Sequence, residues 1–401
     1  VAIIAALHHA LDEHAPGAIV SEVVITRELA APPSAVWPHV TDPAKMNAWS
    51  LAKITLDDPG EGGLGGAVGA LRSVTIESGP VRSVLREVVE HADAPSRFVY
   101  RVIEGVPLRH HRGEITLDAT ARGSRLTWRV AMEFPLPGLS LAMRALVLPQ
   151  LEASVSRLAD LAARGLPEDA PQPATTRDDA LDEGAVEGLL READAILAAQ
   201  RALSQRLEAA NDPRHWFARV YAFVTACQIE AARAHAVTHR AWVLRLIPVF
   251  HRYYADNLRR FVGELPGVAE PHWEMALRRM APRGREAFLT TLTEGFRDAI
   301  RAHIEGDLPR ALAEVHQRHY AGRCELVRFR ADYLLMTPLF REASERFLDT
   351  LPPRYVPFSM RLARRWAPPE SVDVLTARTF YDYLTTRREA FARAMALVGE
   401  R

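Results

Sequence analysis

Ala31-Pro32-Pro33-Ser34-Ala35-Val36-Trp37, followed by Val40-Thr41-Asp42-Pro43 and then Trp49, decides how the first half of this chain reads. The stretch comes directly after a strand-like segment, Ile19 to Leu29. Pro32 and Pro33 lack the N–H a β-ladder needs, and Ser34 is a good N-cap ahead of Ala35, Val36 and Trp37. Asp42-Pro43 then stops this helix and starts a second short one carrying Trp49.

Beyond it, the pattern to about Arg164 is strands and then one long helix. Gly60 to Gly66 reads as a flexible turn; a phosphate loop needs a helix after it, and the next element here is the strand Ala67 to Glu77. Further strands read as Val81–Glu90, Arg97–Glu104, Leu108–Asp118 and Arg125–Phe134, with a hairpin at Ala121–Ser124. Leu139 to Ala163 carries Leu141, Ala145, Leu148, Leu151, Val155, Leu158 and Leu161 at helical spacing.

The strand, Pro-rich entry, Val36-Trp37 helix and later Trp49, together with Arg122-Gly123-Ser124-Arg125-Leu126-Thr127-Trp128, resemble the START-like (SRPBCC) superfamily of polyketide cyclases, dehydratases and lipid-transfer proteins. The resemblance implies a helix-grip α+β fold over residues 18–165, with the long helix lying across a curved antiparallel sheet and enclosing a cavity. Fold of this kind does not fix chemistry.

Residues 166–184 change character: Pro167, Pro171, Pro173 and six acidic residues with almost nothing apolar mark a linker. From 185 to 399 the segments are helical, with breaks at Asn211-Asp212-Pro213, Gly263, Pro266-Gly267, Pro282, Gly306, Gly322, Pro352-Pro353 and Pro368-Pro369. The expectation is therefore a START-like domain followed by an all-α bundle. Tyr221 to Thr225, Val249-Phe250 with Tyr254 and Asp256, Ala302 to Leu312 and Asp332-Tyr333 resemble a bacterial helical family of unknown function, whose third motif runs Asn-Ala-His-Ile-Asn-x-Asp-Leu-Pro-x-Ala-Leu. Arg301 and Glu305 depart from that motif, and the resemblance implies no activity.

The 401 residues carry 50 basic and 50 acidic side chains, so no net field steers the chain to nucleic acid or to an anionic membrane. No uncharged apolar run is long enough to span a bilayer, and the apolar Val1–Leu7 lacks the basic flank of a signal peptide. Cys227 and Cys324 lie far apart in helical-looking segments and read as a reduced cytoplasmic pair.

Alternation along the strands places Ala70, Arg72, Val74 and Ile76 on one face, with His111, Gly113, Ile115 and Leu117, and with Leu126, Trp128, Val130 and Met132. Arg72, Tyr100, His111, Trp128 and Met132 are thus the candidate ligand-binding residues: Arg72 to meet a carbonyl or anion, His111 to move a proton. The bland alternative has Arg72 and His111 near strand ends, reaching solvent.

In the second half Phe288, Leu292, Phe296, Ala299 and His303 form one stripe, and Asp307 stands four residues on, placed to share a metal or orient the imidazole. His303 and Asp307 are the candidate catalytic pair. The competing reading ends the helix at Gly306 and makes Asp307 an N-cap for Leu308-Pro309. His235/His239 and His316/His319 have ligand spacing, but Thr238 as a helix cap and the polar Gln317-Arg318 face argue against metal. Neither a metal nor a cofactor is expected. The sequence supports carriage of a hydrophobic small molecule, with a cyclase- or dehydratase-like enzyme, or a ligand-responsive regulator, as alternatives.

Overall fold

The structure, a computed structural model, describes residues 21–78, 81–106, 108, 110–134, 139–167, 180–281, 294–352 and 381–400. The apolar opening run, most of the linker, Phe288 and Leu292 lie outside the described residues.

Strand β1, Ser21–Leu29, buries Val23, Ile25 and Leu29 on one face and exposes Glu22, Val24 and Thr26 on the other. Helix α1, Pro33–Thr41, comes immediately after, with Val36, Trp37 and Val40 inward. Its N-cap is Pro32 rather than Ser34, and no side chain caps it: two prolines already fix the entry and supply no donors that need a cap. Asp42 does cap the short α2, Pro43–Met46, by accepting from Ala44 N, and Trp49 lies in the turn just past it.

The remaining strands are β2 Lys53–Asp58, β3 Leu71–Ser78, β4 Val81–Asp93, β5 Arg97–Glu104, β6 His110–Thr120 and β7 Gly123–Glu133. They form one antiparallel sheet in the order β1-β7-β6-β5-β4-β3-β2. Edge strand β2 escapes the sequence pattern because only Ile54 is buried along it. The glycine run before β3 is closely packed at its ends, where a Cβ on Gly60 would lie 2.5 Å from the Ala67 carbonyl oxygen and one on Gly66 2.8 Å from Thr41, whereas Gly62 and Gly63 face open space.

Helix α3, Leu139–Arg164, packs on β1 and the sheet face through Val155, Leu158 and Ala162. Its first half stands further off, with Leu141 and Leu146 half-exposed. The helix grip is therefore closed at its C-terminal end and open at its N-terminal end.

The second half contains α4 Val186–Ala209, α5 His215–Arg233, α6 Arg240–Phe261, α7 Pro271–Arg279, α8 Phe296–Arg301, α9 Leu308–His319, α10 Arg330–Leu335, α11 Thr337–Asp349 and α12 Tyr383–Val398. Cys324 lies in coil, outside any helix, and both cysteines are free. The helix does not stop at Gly306: α8 passes into α9 through a π-helical turn, Ala302–Asp307. A wider turn accommodates Pro309, whose ring would otherwise crowd the carbonyl four residues back.

The two halves touch. Arg330 donates to the Pro59 carbonyl, Arg388 pairs with Asp58, and Arg341 donates to the Leu108 carbonyl. Among the described residues no helix is long and apolar enough to cross a membrane.

Candidate functional site

Between the concave sheet face and the N-terminal half of α3 lies a cavity of about 270 Å³. Val74, Ile76, Leu85, Val102, Trp128, Val130, Met132 and Phe134 supply its sheet wall, and Met143, Val147 and Leu151 its helix wall. Leu51 and Leu146, both half-exposed, line it too and mark its mouth. Space survives here because the front of α3 does not press onto the sheet.

Besides Ser50, Ser83, Gln150 and Ser154, three titratable side chains line this wall: Tyr100, His111 and Glu87. Tyr100 stands opposite Gly113 across the β5–β6 pair, and its ring lies over that residue; a Cβ there would come within 2.1 Å of the ring. The glycine is thus required by the tyrosine. The Tyr100 hydroxyl accepts from Trp128 Nε1 at 3.0 Å, which leaves its own proton to donate, and burial holds its pKa above the usual range. His111 Nδ1 accepts from the Val102 N–H at 3.2 Å, so Nε2 carries the proton. Burial, with His110 and Arg101 nearby, pushes this imidazole down to about 3, and it is neutral at ordinary pH.

Arg72 faces inward as its alternation requires, but it neither lines the cavity nor reaches solvent. It forms a short ion pair with Glu87, lies 3.5 Å from the Thr41 carbonyl oxygen, and sits 4.9 Å from the Phe98 ring centre and 5.6 Å from that of Tyr100. Burial raises the Glu87 pKa and Arg72 opposes that rise. Four of the five expected ligand residues therefore share the cavity wall; Arg72 stands behind it as the counter-ion of Glu87. Sequence reasoning passed over Glu87. It is the β3–β4 register, which pairs Ser78 with Val81, that sets Arg72 directly opposite Glu87.

The second polar centre lies in the helices. His303 stacks on Phe250 with ring centres 3.5 Å apart, meets Tyr221 edge-on at 4.5 Å, and has Trp273, Phe217 and Tyr254 within 6.2 Å. Its Nδ1 lies 3.2 Å from Asp307 Oδ2, and a carboxylate only accepts, so Nδ1 carries the proton and Nε2 the lone pair. Nε2 has no hydrogen-bond partner among the described residues. Burial lowers the His303 pKa, with Asp307 pulling the other way.

Asp307 is fully buried and caps nothing. Oδ2 accepts from Trp273 Nε1 at 2.8 Å, while Oδ1 faces His272 Nε2 at 3.4 Å. Burial pushes its pKa up; the hydrogen bonds from His272 and His303 more than offset that. The motif residues Tyr221, Phe250, Tyr254, His303 and Asp307, scattered along the sequence, thus converge, and the structure adds His272 and Trp273 to them. The space beside His303 is about 40 Å³, room for a water and little more.

Two further histidines, His239 and His316, make buried structural contacts. His239 Nδ1 and N, with Thr238 N, all contact the buried Asp332 carboxylate at 2.8 Å, which ties down the start of α6. His316 is buried, against the expected polar face, and its Nε2 lies 2.9 Å from the Cys324 carbonyl oxygen.

Residues 21–163 match the family of polyketide cyclase/dehydrase and lipid transport proteins. Residues 193–401 match a family of unknown function, DUF5995. No curated protein matches the chain. Among solved structures, a protein from Mesorhizobium loti is 20% identical over 36% of this chain and 98% of its own, with a TM-score of 0.29. The Zhui aromatase/cyclase from a Streptomyces species is 14% identical over 36% and 95%, TM-score 0.31. Major latex-like protein 151 from Panax ginseng is 13% identical over 38% and 100%, TM-score 0.32.

Proposed function

The chain belongs to the DUF5995 family of unknown function, and for the portion that precedes the family's residues we propose binding of a hydrophobic small molecule, of lipid, polyketide or aromatic type. One observation carries this reading: a cavity of about 270 Å³ with predominantly apolar walls, which Tyr100 and His111 line as neutral donors. A ligand losing about 200 Å² of apolar surface there would gain roughly 5 kcal/mol before its entropy costs. His111 Nε2–H and the Tyr100 hydroxyl would orient one acceptor on it, such as a carbonyl or phenol oxygen.

The same two donors support a second reading, a cyclase- or dehydratase-like reaction in which they polarise a carbonyl. Binding is favoured because the wall lacks a free base. His111 is a weak base when buried, and the Glu87 carboxylate is held by Arg72. In the helices, His303 with Asp307 has the form of an oriented base, but its adjoining space admits no substrate larger than water.

Isothermal titration of the full chain with 8-anilinonaphthalene-1-sulfonate tests the proposal. One equivalent is expected to bind, at least tenfold more weakly in Val147→Trp, which fills the helix wall. Equal affinity in that variant would remove the cavity as the site.

A further inference from the structure

Outside the cavity, the described residues place one histidine and two carboxylates from separate elements within ligand reach of one another. Glu270 immediately precedes α7, His272 stands in its first turn, and Asp307 closes the π-turn between α8 and α9. Single donor atoms of the three lie within 4.8 Å of each other; His272 Nε2 is 3.4 Å from Asp307 Oδ1 and 3.8 Å from Glu270 Oε2. We propose that Glu270, His272 and Asp307 bind one divalent transition-metal ion of the zinc class.

The two oxygens of Asp307 are divided in the way a metal-binding carboxylate requires. Oδ2 is held by Trp273 Nε1 and His303 Nδ1, which fix its plane, and Oδ1 is turned toward His272. One imidazole and two carboxylates suit zinc, manganese or iron(II), and three protein ligands leave a position for water. His272 and Glu270 are each about one-third exposed, so that position opens to solvent. Gly306 makes the placement of His272 possible: a Cβ there would lie 2.9 Å from its Cδ2 and Nε2. Among the described residues the cation in contact with these carboxylates is Arg310, 2.5 Å from Glu270 Oε2 and 3.9 Å from Asp307 Oδ1. Two carboxylates against one guanidinium leave negative charge in excess. Arg310 also lies 4.3 Å over the Tyr253 ring, a seat it keeps when an ion takes the carboxylates. Spacing in the sequence hides the site, because Asp307 is remote from the other two ligands. It does not depend on what the N-terminal cavity binds.

The metal-free full chain is titrated with Co²⁺, monitored by visible absorption and then by displacement with Zn²⁺. One equivalent with ligand-field bands is expected. Affinity should fall at least tenfold in His272→Ala, a partly exposed position, and likewise in Gly306→Ala, which removes no ligand but pushes the imidazole aside. Arg310→Gln should bind more tightly. Absence of the bands, or binding that persists unchanged in His272→Ala (including uptake by the Cys227, Glu230 and Glu342 cluster), would overturn the site.

Discussion

Each half of the molecule sets a histidine against aromatic side chains, His111 against Tyr100 and His303 against several, yet the two surroundings differ in the space they leave. His111 shares its wall with a cavity of about 270 Å³, whereas His303 stacks on Phe250 beside about 40 Å³. Both imidazoles have depressed pKa values for the same reason, burial. Chemistry alone therefore does not separate them; the volume each one faces does. In the N-terminal half the polar groups stand around an opening, and in the C-terminal half they hold one another, His303 Nε2 excepted.

If the helical network is chiefly a set of mutual partners, removing its hub has the largest effect. Asp307→Ala strands donors from Trp273, His303 and His272 and is expected to lower stability by about 3–5 kcal/mol in denaturant melts. A change under about 1 kcal/mol would mean the carboxylate is not the anchor described.

The ion pair behind the cavity should respond similarly but be replaceable. Arg72→Ala leaves Glu87 unpaired in an apolar wall and is expected to cost about 3 kcal/mol. Arg72→Leu combined with Glu87→Leu should recover most of that. A double variant as unstable as the single one would show that Arg72 acts through something other than its partner.

Much of the N-terminal architecture is legible in the sequence. Alternation along β6 and β7 fixes which side chains face α3, since a one-residue slip would reverse Ile115, Leu117, Trp128 and Met132 together. Strand β2 is not legible, because an edge strand with one buried residue carries no period-2 signal. Nor is the continuity of α8 into α9: Gly306 and Pro309 read as a stop, while the π-turn carries the helix through them. Glu87 and His272 escape a sequence reading because each is defined by what lies across from it, not beside it in sequence.

Acid titration gives a smaller effect with a definite sign. His111 is neutral in the folded state, with its pKa pushed to about 3, whereas an unfolded imidazole takes up a proton near pH 6.5. Below pH 6.5 the unfolded chain binds the extra proton, so stability falls on acidification down to about pH 3. Relative to His111→Asn, the wild type should lose about 1 kcal/mol per pH unit over that window. Parallel curves would place His111 in contact with water rather than in the cavity wall.

The central claim is that the open space under the sheet, and not the helical core, takes an apolar ligand. The methionines report on both: Met46, Met132 and Met143 line the cavity, while Met280 and Met395 are buried among the helices. A methyl NMR titration of the full chain with 8-anilinonaphthalene-1-sulfonate should shift Met46, Met132 and Met143 saturably and leave Met280 and Met395 in place. Saturable shifts confined to Met280 and Met395, or none at the three cavity methyls, would contradict it.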